Sequence, residues 1–177
     1  MSEGISRSIF LIGFMGAGKS TIARALQREL GFPLIEMDER IVKEQGMSIN
    51  DIFAQYGEDH FRDIESQLIV DIGKEEPSIV SCGGGVVVRP QNTQNMKEIG
   101  RIVFLKATPE TIYERVKNST DRPILNGHMN VEYIAELMEK RRALYGAAAD
   151  ITIQTDGKTR EQICEEIIGK MRNTNEV

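Results

Sequence analysis

Short unbroken apolar runs alternate along the chain with segments whose apolar residues recur every three or four positions. Ile9, Phe10, Leu11 and Ile12 form one such run, ending at Gly13, as a parallel strand buried on both faces requires. Residues 34–37, 78–82, 102–105 and 151–153 predict four more strands of the same kind. Between them, Ile22, Ala25, Leu26 and Leu30 fall at helical spacing and stop at Gly31, a natural C-cap. Ser48 with Asp51 resembles a capping box, and Met47 with Ile52 its hydrophobic staple. Gly57 closes that turn, and Phe61, Ile64, Leu68 and Ile72 predict one face of a longer helix. Thr108 followed by Pro109 reads as an N-cap with proline at the first helical position. Val131, Ile134, Leu137, Met138 and Leu144 predict another helix, and Thr159 with Gln162 opens the last.

Strands alternating with helices imply an α/β fold, a mainly parallel sheet covered on both faces. A chain of 177 residues without repeats or Pro/Gly/Ser-rich linkers predicts a single domain. Residues 117–129 carry no periodicity, and a loop of that length in a compact domain reads as a lid or binding loop. With 40% apolar and 28% charged residues the composition excludes disorder, and no run approaches the ~20 apolar residues of a membrane span. Residues 1–4 include an acid and lead straight into a strand, unlike a signal peptide. Cys82 and Cys164 stand far apart, which disfavours a disulfide framework or zinc site and makes a reducing cytoplasm the expected setting. The formal charge of −5 argues against nucleic acid as the main partner, while a small anion needs only a local cluster of cations.

One segment supplies that cluster. Residues 13–20, GFMGAGKS, match G-x-x-x-x-G-K-[ST] between a strand and a helix. Gly13, Gly16 and Gly18 let the backbone curl around phosphate, with Ala17 inside the curl. Lys19 reaches toward the β- and γ-phosphates, the Ser20 hydroxyl toward Mg²⁺, and the following helix presents its positive N-terminus. The glycine spacing is not that of the dinucleotide fingerprint. A purine nucleoside triphosphate with magnesium is the expected ligand.

Which P-loop protein this is depends on the rest of the chain. It lacks an N-K-x-D motif, which disfavours a GTPase switch. The third strand ends not in the usual Walker B aspartate but in Ser81, Cys82, Gly83, Gly84 and Gly85, bare backbone where ligands bind in open α/β sheets. Read as a strand end, Glu36 and Asp38 project to one side, where a carboxylate can orient an attacking hydroxyl and take its proton. Taken alone, Glu58 with Arg62 is an ordinary helical pair, and Arg141 is a cation favoured near a helix C-terminus.

The ordered set resembles the shikimate kinase family over nearly the whole chain. It comprises the P-loop of residues 13–21, the acidic pair at 36 and 38, G-E-x-x-F-R-x-x-E at 57–65, and Gly83, Gly84 and Gly85. It continues with Arg115, then Arg122 and Pro123, and R-x-x-L-Y at 141–145. The resemblance implies a three-layer P-loop kinase fold with five parallel strands, a substrate-binding region near residues 37–65 and a lid near 116–128. It implies transfer of a phosphoryl group from MgATP to the 3-hydroxyl of shikimate, in aromatic amino-acid synthesis, by a cytoplasmic monomer. Asp38 would hold the attacking hydroxyl and act as base. Arg62 and Arg141 would bind the shikimate carboxylate, with Gly83, Gly84 and Gly85 at the ring hydroxyls and Phe61 and Glu65 shaping the pocket. Lys19 and Arg122 would stabilise the transferring phosphoryl, Arg115 would lie against adenine, and Thr21 would join the ATP site.

Two positions depart from the family pattern. Glu36 stands where aspartate is usual, one methylene longer toward the expected indirect magnesium contact, and residues 155–160 hold no proline in the adenine loop. Two other readings of the P-loop stay open on residues alone. One is another small-metabolite or nucleotide kinase on the same fold; the other is a non-catalytic nucleotide-binding switch.

Overall fold

A computed structural model of the chain describes residues 4–117 and 130–173. Arg122, Pro123 and all but the first two residues of the expected lid lie outside the described residues. The elements run β1 (Ser8–Ile12), α1 (Lys19–Leu30), β2 (Leu34–Glu36), α2 (Met37–Gln45), α3 (Ile49–Tyr56), α4 (Glu58–Ile72) and β3 (Ile79–Ser81). A short 3-10 turn (Val86–Val88) follows, then α5 (Pro90–Ile99), β4 (Gly100–Lys106), α6 (Pro109–Val116), α7 (Val131–Ala148), β5 (Ile151–Gln154) and α8 (Arg160–Asn173).

The five strands form one sheet in the order β2-β3-β1-β4-β5, with every pairing parallel. Central β1 is buried along its length, and its side chains divide by alternation. Ile9 and Leu11 enter a core shared with α1 and α8, while Phe10 and Ile12 enter a second core with α4 and α5. Val103 and Leu105 of β4 join the first core and Ile102 and Phe104 the second. This is the three-layer α/β arrangement that the apolar runs predict. Each fully buried side chain of β1 contributes about 1.5–3 kcal/mol.

The expected helix signals hold atom by atom. Ser48 accepts from the Asp51 N–H at 3.1 Å and Thr108 from the Thr111 N–H at 3.3 Å. Gln162 and Thr159 cap each other reciprocally. Gly31 closes α1 at φ 72°.

Three features differ from the sequence reading. The second strand ends at Glu36, and Met37 and Asp38 already belong to α2, so strand alternation is not what orients Asp38. The short helices α2 and α5 have few buried apolar positions, Met37 and Ile41 in one and Met96 in the other, so their periodicity is faint. On α7, Leu144 is exposed and Tyr145 is buried in its stead, which turns the expected face of that helix by one residue.

Candidate active site

Three neighbouring strands, β2, β3 and β1, end side by side, and the segments leaving them enclose a cleft of about 630 Å³. Its wall includes Gly16, Gly18, Lys19, Ser20, Thr21, Glu36, Asp38, Gly83, Gly84 and Arg115. Residues separated by almost a hundred positions in sequence thus share one concavity.

The P-loop curls tightly against α6. Gly16 has φ 81°, and a Cβ there would stand 2.6 Å from Val116 Cγ1, so both its conformation and its neighbour demand glycine. Gly13 and Ala17 are buried in the loop's packing. Gly18 is the N-cap of α1 and no side chain caps it, which leaves the first N–H groups of the helix for an anion. The Lys19 ammonium donates to the carbonyls of Gly13 and, at 3.2 Å, Phe14, so it rests inside the curl. Arg115 donates to the Gly16 carbonyl at 3.1 Å from the far end of α6.

At the metal-facing side of the loop, Ser20 Oγ donates to Glu36 Oε2 at 3.0 Å and lies 3.4 Å from Ser81 Oγ. The extra methylene of Glu36 therefore reaches the Ser20 hydroxyl. Glu36 Oε1 is buried and has no protein hydrogen-bond partner. A carboxylate on the cleft wall beside the Ser20 hydroxyl, with one oxygen no protein group satisfies, fits a small hard cation such as magnesium.

The glycine triplet is the meeting point of the acceptor side. A Cβ on Gly83 would fall 2.9 Å from Glu65 Oε2 and 3.1 Å from Asp38 Oδ1. One on Gly84 would meet Arg141 Nη1 at 3.6 Å and the Met15 N–H group at 3.5 Å. One on Gly85 would collide with the Arg62 guanidinium, 2.5 Å from its Cζ. Each glycine thus makes room for a different charged group. Asp38 sits in the first turn of α2, where the helix dipole favours its carboxylate.

Arg62 and Glu65 are 5% and 0% exposed, one turn apart on α4, and bonded at 2.9 Å. Glu58 accepts a second bond from Arg62 at 3.1 Å. Burial pushes the Glu65 carboxyl up from its usual range; Arg62 opposes the shift and Asp38 adds to it. Arg62 Nε and Glu65 Oε2 are buried without protein partners, so polar capacity remains unused here. Phe61 is in the core rather than on the cleft wall, 5.1 Å from the Phe53 ring, with the Arg62 cation 5.3 Å from its own ring centre.

Two residues at the site escaped the sequence reading as participants. Ser81 was visible only as the replacement for an acid at a strand end, and Tyr145 only as the last letter of R-x-x-L-Y. Cys82 also lines the cleft, but burial raises its thiol pKa far above the usual range, which makes it a poor nucleophile. A second cavity of about 430 Å³ between the P-loop, β4, α6 and α7 is mainly apolar, and Glu36, Asp38 and Glu65 do not line it.

Comparison with known proteins agrees with this arrangement. The family model for shikimate kinase matches residues 15–172. The shikimate kinase of Persephonella marina is 43% identical over 166 residues, covering 94% of this chain and 99% of its own. The crystal structure of shikimate kinase from Aquifex aeolicus superposes with a TM-score of 0.82 at 35% identity, covering 94% of this chain and 97% of that one. Shikimate kinase from Acinetobacter baumannii in complex with shikimate gives a TM-score of 0.90 at 27% identity over 97% of this chain and 96% of that one. With the match running through the P-loop, the glycine triplet and α7, the chain belongs to the shikimate kinase family, ATP-dependent small-molecule kinases.

Proposed function

We propose that this chain transfers the γ-phosphoryl group of MgATP to the 3-hydroxyl of shikimate, giving shikimate 3-phosphate and ADP on the route to aromatic amino acids. The observation that carries this reading is the convergence of Asp38, Glu65, Arg62 and Arg141 on Gly83, Gly84 and Gly85 beside a phosphate-binding loop. A nucleotide switch needs the loop but no second pocket of this kind.

In the proposed mechanism Arg62 and Arg141 hold the shikimate carboxylate, Arg62 being aimed by Glu65 and Phe61. The backbone of Gly83, Gly84 and Gly85 meets the ring hydroxyls. Asp38 orients the 3-hydroxyl and receives its proton as that oxygen attacks the γ-phosphorus and the bond to the β-γ bridging oxygen breaks. Lys19, with Arg122 from outside the described residues, balances charge on the moving phosphoryl. Gly13, Gly16, Ala17, Gly18, Ser20, Thr21 and Arg115 hold ATP. Ser20 would hold magnesium, with Glu36 in indirect contact, and the ion would supply charge neutralisation at the phosphates. Residues 37–65 form the proposed substrate-binding region within a single domain, and residues 116–128 the proposed lid, which excludes water that would otherwise take the phosphoryl.

No helix among the described residues is long and apolar enough to cross a membrane. Two buried free cysteines and a net charge of −5 support a cytoplasmic setting and small-molecule rather than nucleic-acid partners. Monomer is the state the family resemblance implies. The test is ADP release with shikimate, gluconate and nucleoside monophosphates offered separately. Turnover with shikimate alone is expected; turnover with another acceptor alone, or with none, overturns the assignment.

A further inference from the structure

We propose that Tyr145 is a positioning residue of the acceptor subsite, tying the glycine turn to α7, the helix that carries Arg141, so that turn and arginine are held in register for the substrate. This rests on the acceptor pocket proposed above and adds a residue to which that reading gives no role.

The backbone of the triplet shows why such a tie is needed. Glycine lacks the Cβ that restricts rotation, so three in succession have little intrinsic orientation. Two of their carbonyls are fixed locally: Gly83 accepts from the Val86 N–H at 3.2 Å and Gly85 from the Val88 N–H at 3.1 Å. The middle carbonyl, Gly84, accepts instead from the Tyr145 hydroxyl, delivered from α7, 61 positions away. That carbonyl shares a rigid peptide plane with the Gly85 N–H. Fixing one therefore fixes the direction of the other.

Tyr145 is well held to do this. Its ring is 2% exposed and stacks on Phe104 at 5.0 Å and 21°, which leaves the hydroxyl as its one polar end. One helical turn earlier on α7, Arg141 brings its Nη1 to the same glycine, 3.6 Å from where a Cβ of Gly84 would stand. The phenol thus donates to the Gly84 carbonyl, at the residue the Arg141 guanidinium also approaches. A single hydroxyl links α7, one turn after Arg141, to the turn after β3. Leu144, its neighbour in sequence, is exposed, while Tyr145 shares the buried face of α7 with Ile134 and Ala148.

The test separates positioning from packing. Tyr145→Phe keeps the ring on Phe104 and removes only the hydroxyl. It is expected to raise the KM for shikimate about 10-fold, the scale of one lost neutral hydrogen bond, with the KM for ATP within about twofold of wild type. Hydrogen exchange at the Gly85 amide should accelerate, with the thermal midpoint little changed. Combined with Arg141→Ala, it should weaken shikimate by less than the product of the single effects, since both side chains act at Gly84. An unchanged shikimate KM, or equal rises in both KM values, overturns the inference. Absence of shikimate turnover in the wild type overturns the functional reading, and the inference with it.

Discussion

Arg62 donates to Glu65 Oε1 at 2.9 Å with both side chains almost wholly shielded, 6% and 1% exposed. A cation buried this deeply persists because a carboxylate meets it, and the pair in turn faces the glycine triplet. Removing the acid leaves the charge in a poorly solvating site, with Glu58, itself largely exposed, as the remaining partner. Glu65→Ala is therefore expected to lower stability by about 3 kcal/mol in urea denaturation and to raise the KM for shikimate sharply. A stability change under about 1 kcal/mol would show that Glu58 alone suffices.

Asp38 and Glu65 both approach the point where a Cβ of Gly83 would stand, and Asp38 does so from the start of a helix on the cleft wall. If it accepts the proton of the attacking hydroxyl, Asp38→Asn lowers kcat by ~10²-fold or more with ATP binding intact. Steady-state kinetics with both substrates varied will show this. An unchanged kcat removes the role of base.

The triplet predicts an asymmetry between neighbours of identical chemistry. A Cβ at Gly85 would overlap the Arg62 guanidinium, whereas at Gly84 the nearest atoms are at ordinary contact distance. Gly85→Ala should then destabilise the fold by about 1–3 kcal/mol, and Gly84→Ala by less than half as much. Denaturation of the two variants side by side checks the order. Equal losses would mean that Arg62 yields freely.

Asp156 gives a pH prediction away from the chemistry. It accepts from the Thr108 N–H and hydroxyl, each at 3.1 Å, and from the Thr111 hydroxyl at 2.6 Å, tying the loop after β5 to the start of α6. Although partial burial pushes the other way, these hydrogen bonds lower its pKa to about 2 from a model-peptide value of 3.8. A folded value below the unfolded one means that the contribution is complete above pH ~4 and is lost as pH falls through about 2. Asp156→Asn should flatten the acid limb of the stability curve between those values. A limb of unchanged slope would assign acid unfolding to other carboxylates.

Much of this architecture was legible in the chain because local chemistry dictates it. The β1 run, the P-loop glycines, the Ser48 and Thr108 caps and the reciprocal cap of Thr159 with Gln162 are each complete within a few residues. What escaped depends on tertiary contact. Asp38 entered a helix directly because Glu36, with extended backbone, serves as its N-cap, and no intervening turn residue marks the change. The apolar letters favoured Leu144, but the Phe104 ring and the Gly84 carbonyl select Tyr145. The contacts of Ser20 with Glu36 and with Ser81 likewise join the start of α1 to the ends of β2 and β3 and have no local signature.

The central claim is the identity of the transferred group's destination. The most direct measurement is product analysis by ³¹P–¹H correlation NMR after incubating the purified chain with ATP, magnesium and shikimate. A phosphorus signal coupled to the proton on carbon 3 of shikimate, appearing in step with ADP, is the predicted result. Phosphate on another hydroxyl, or ADP and inorganic phosphate with no phosphorylated shikimate, would contradict it.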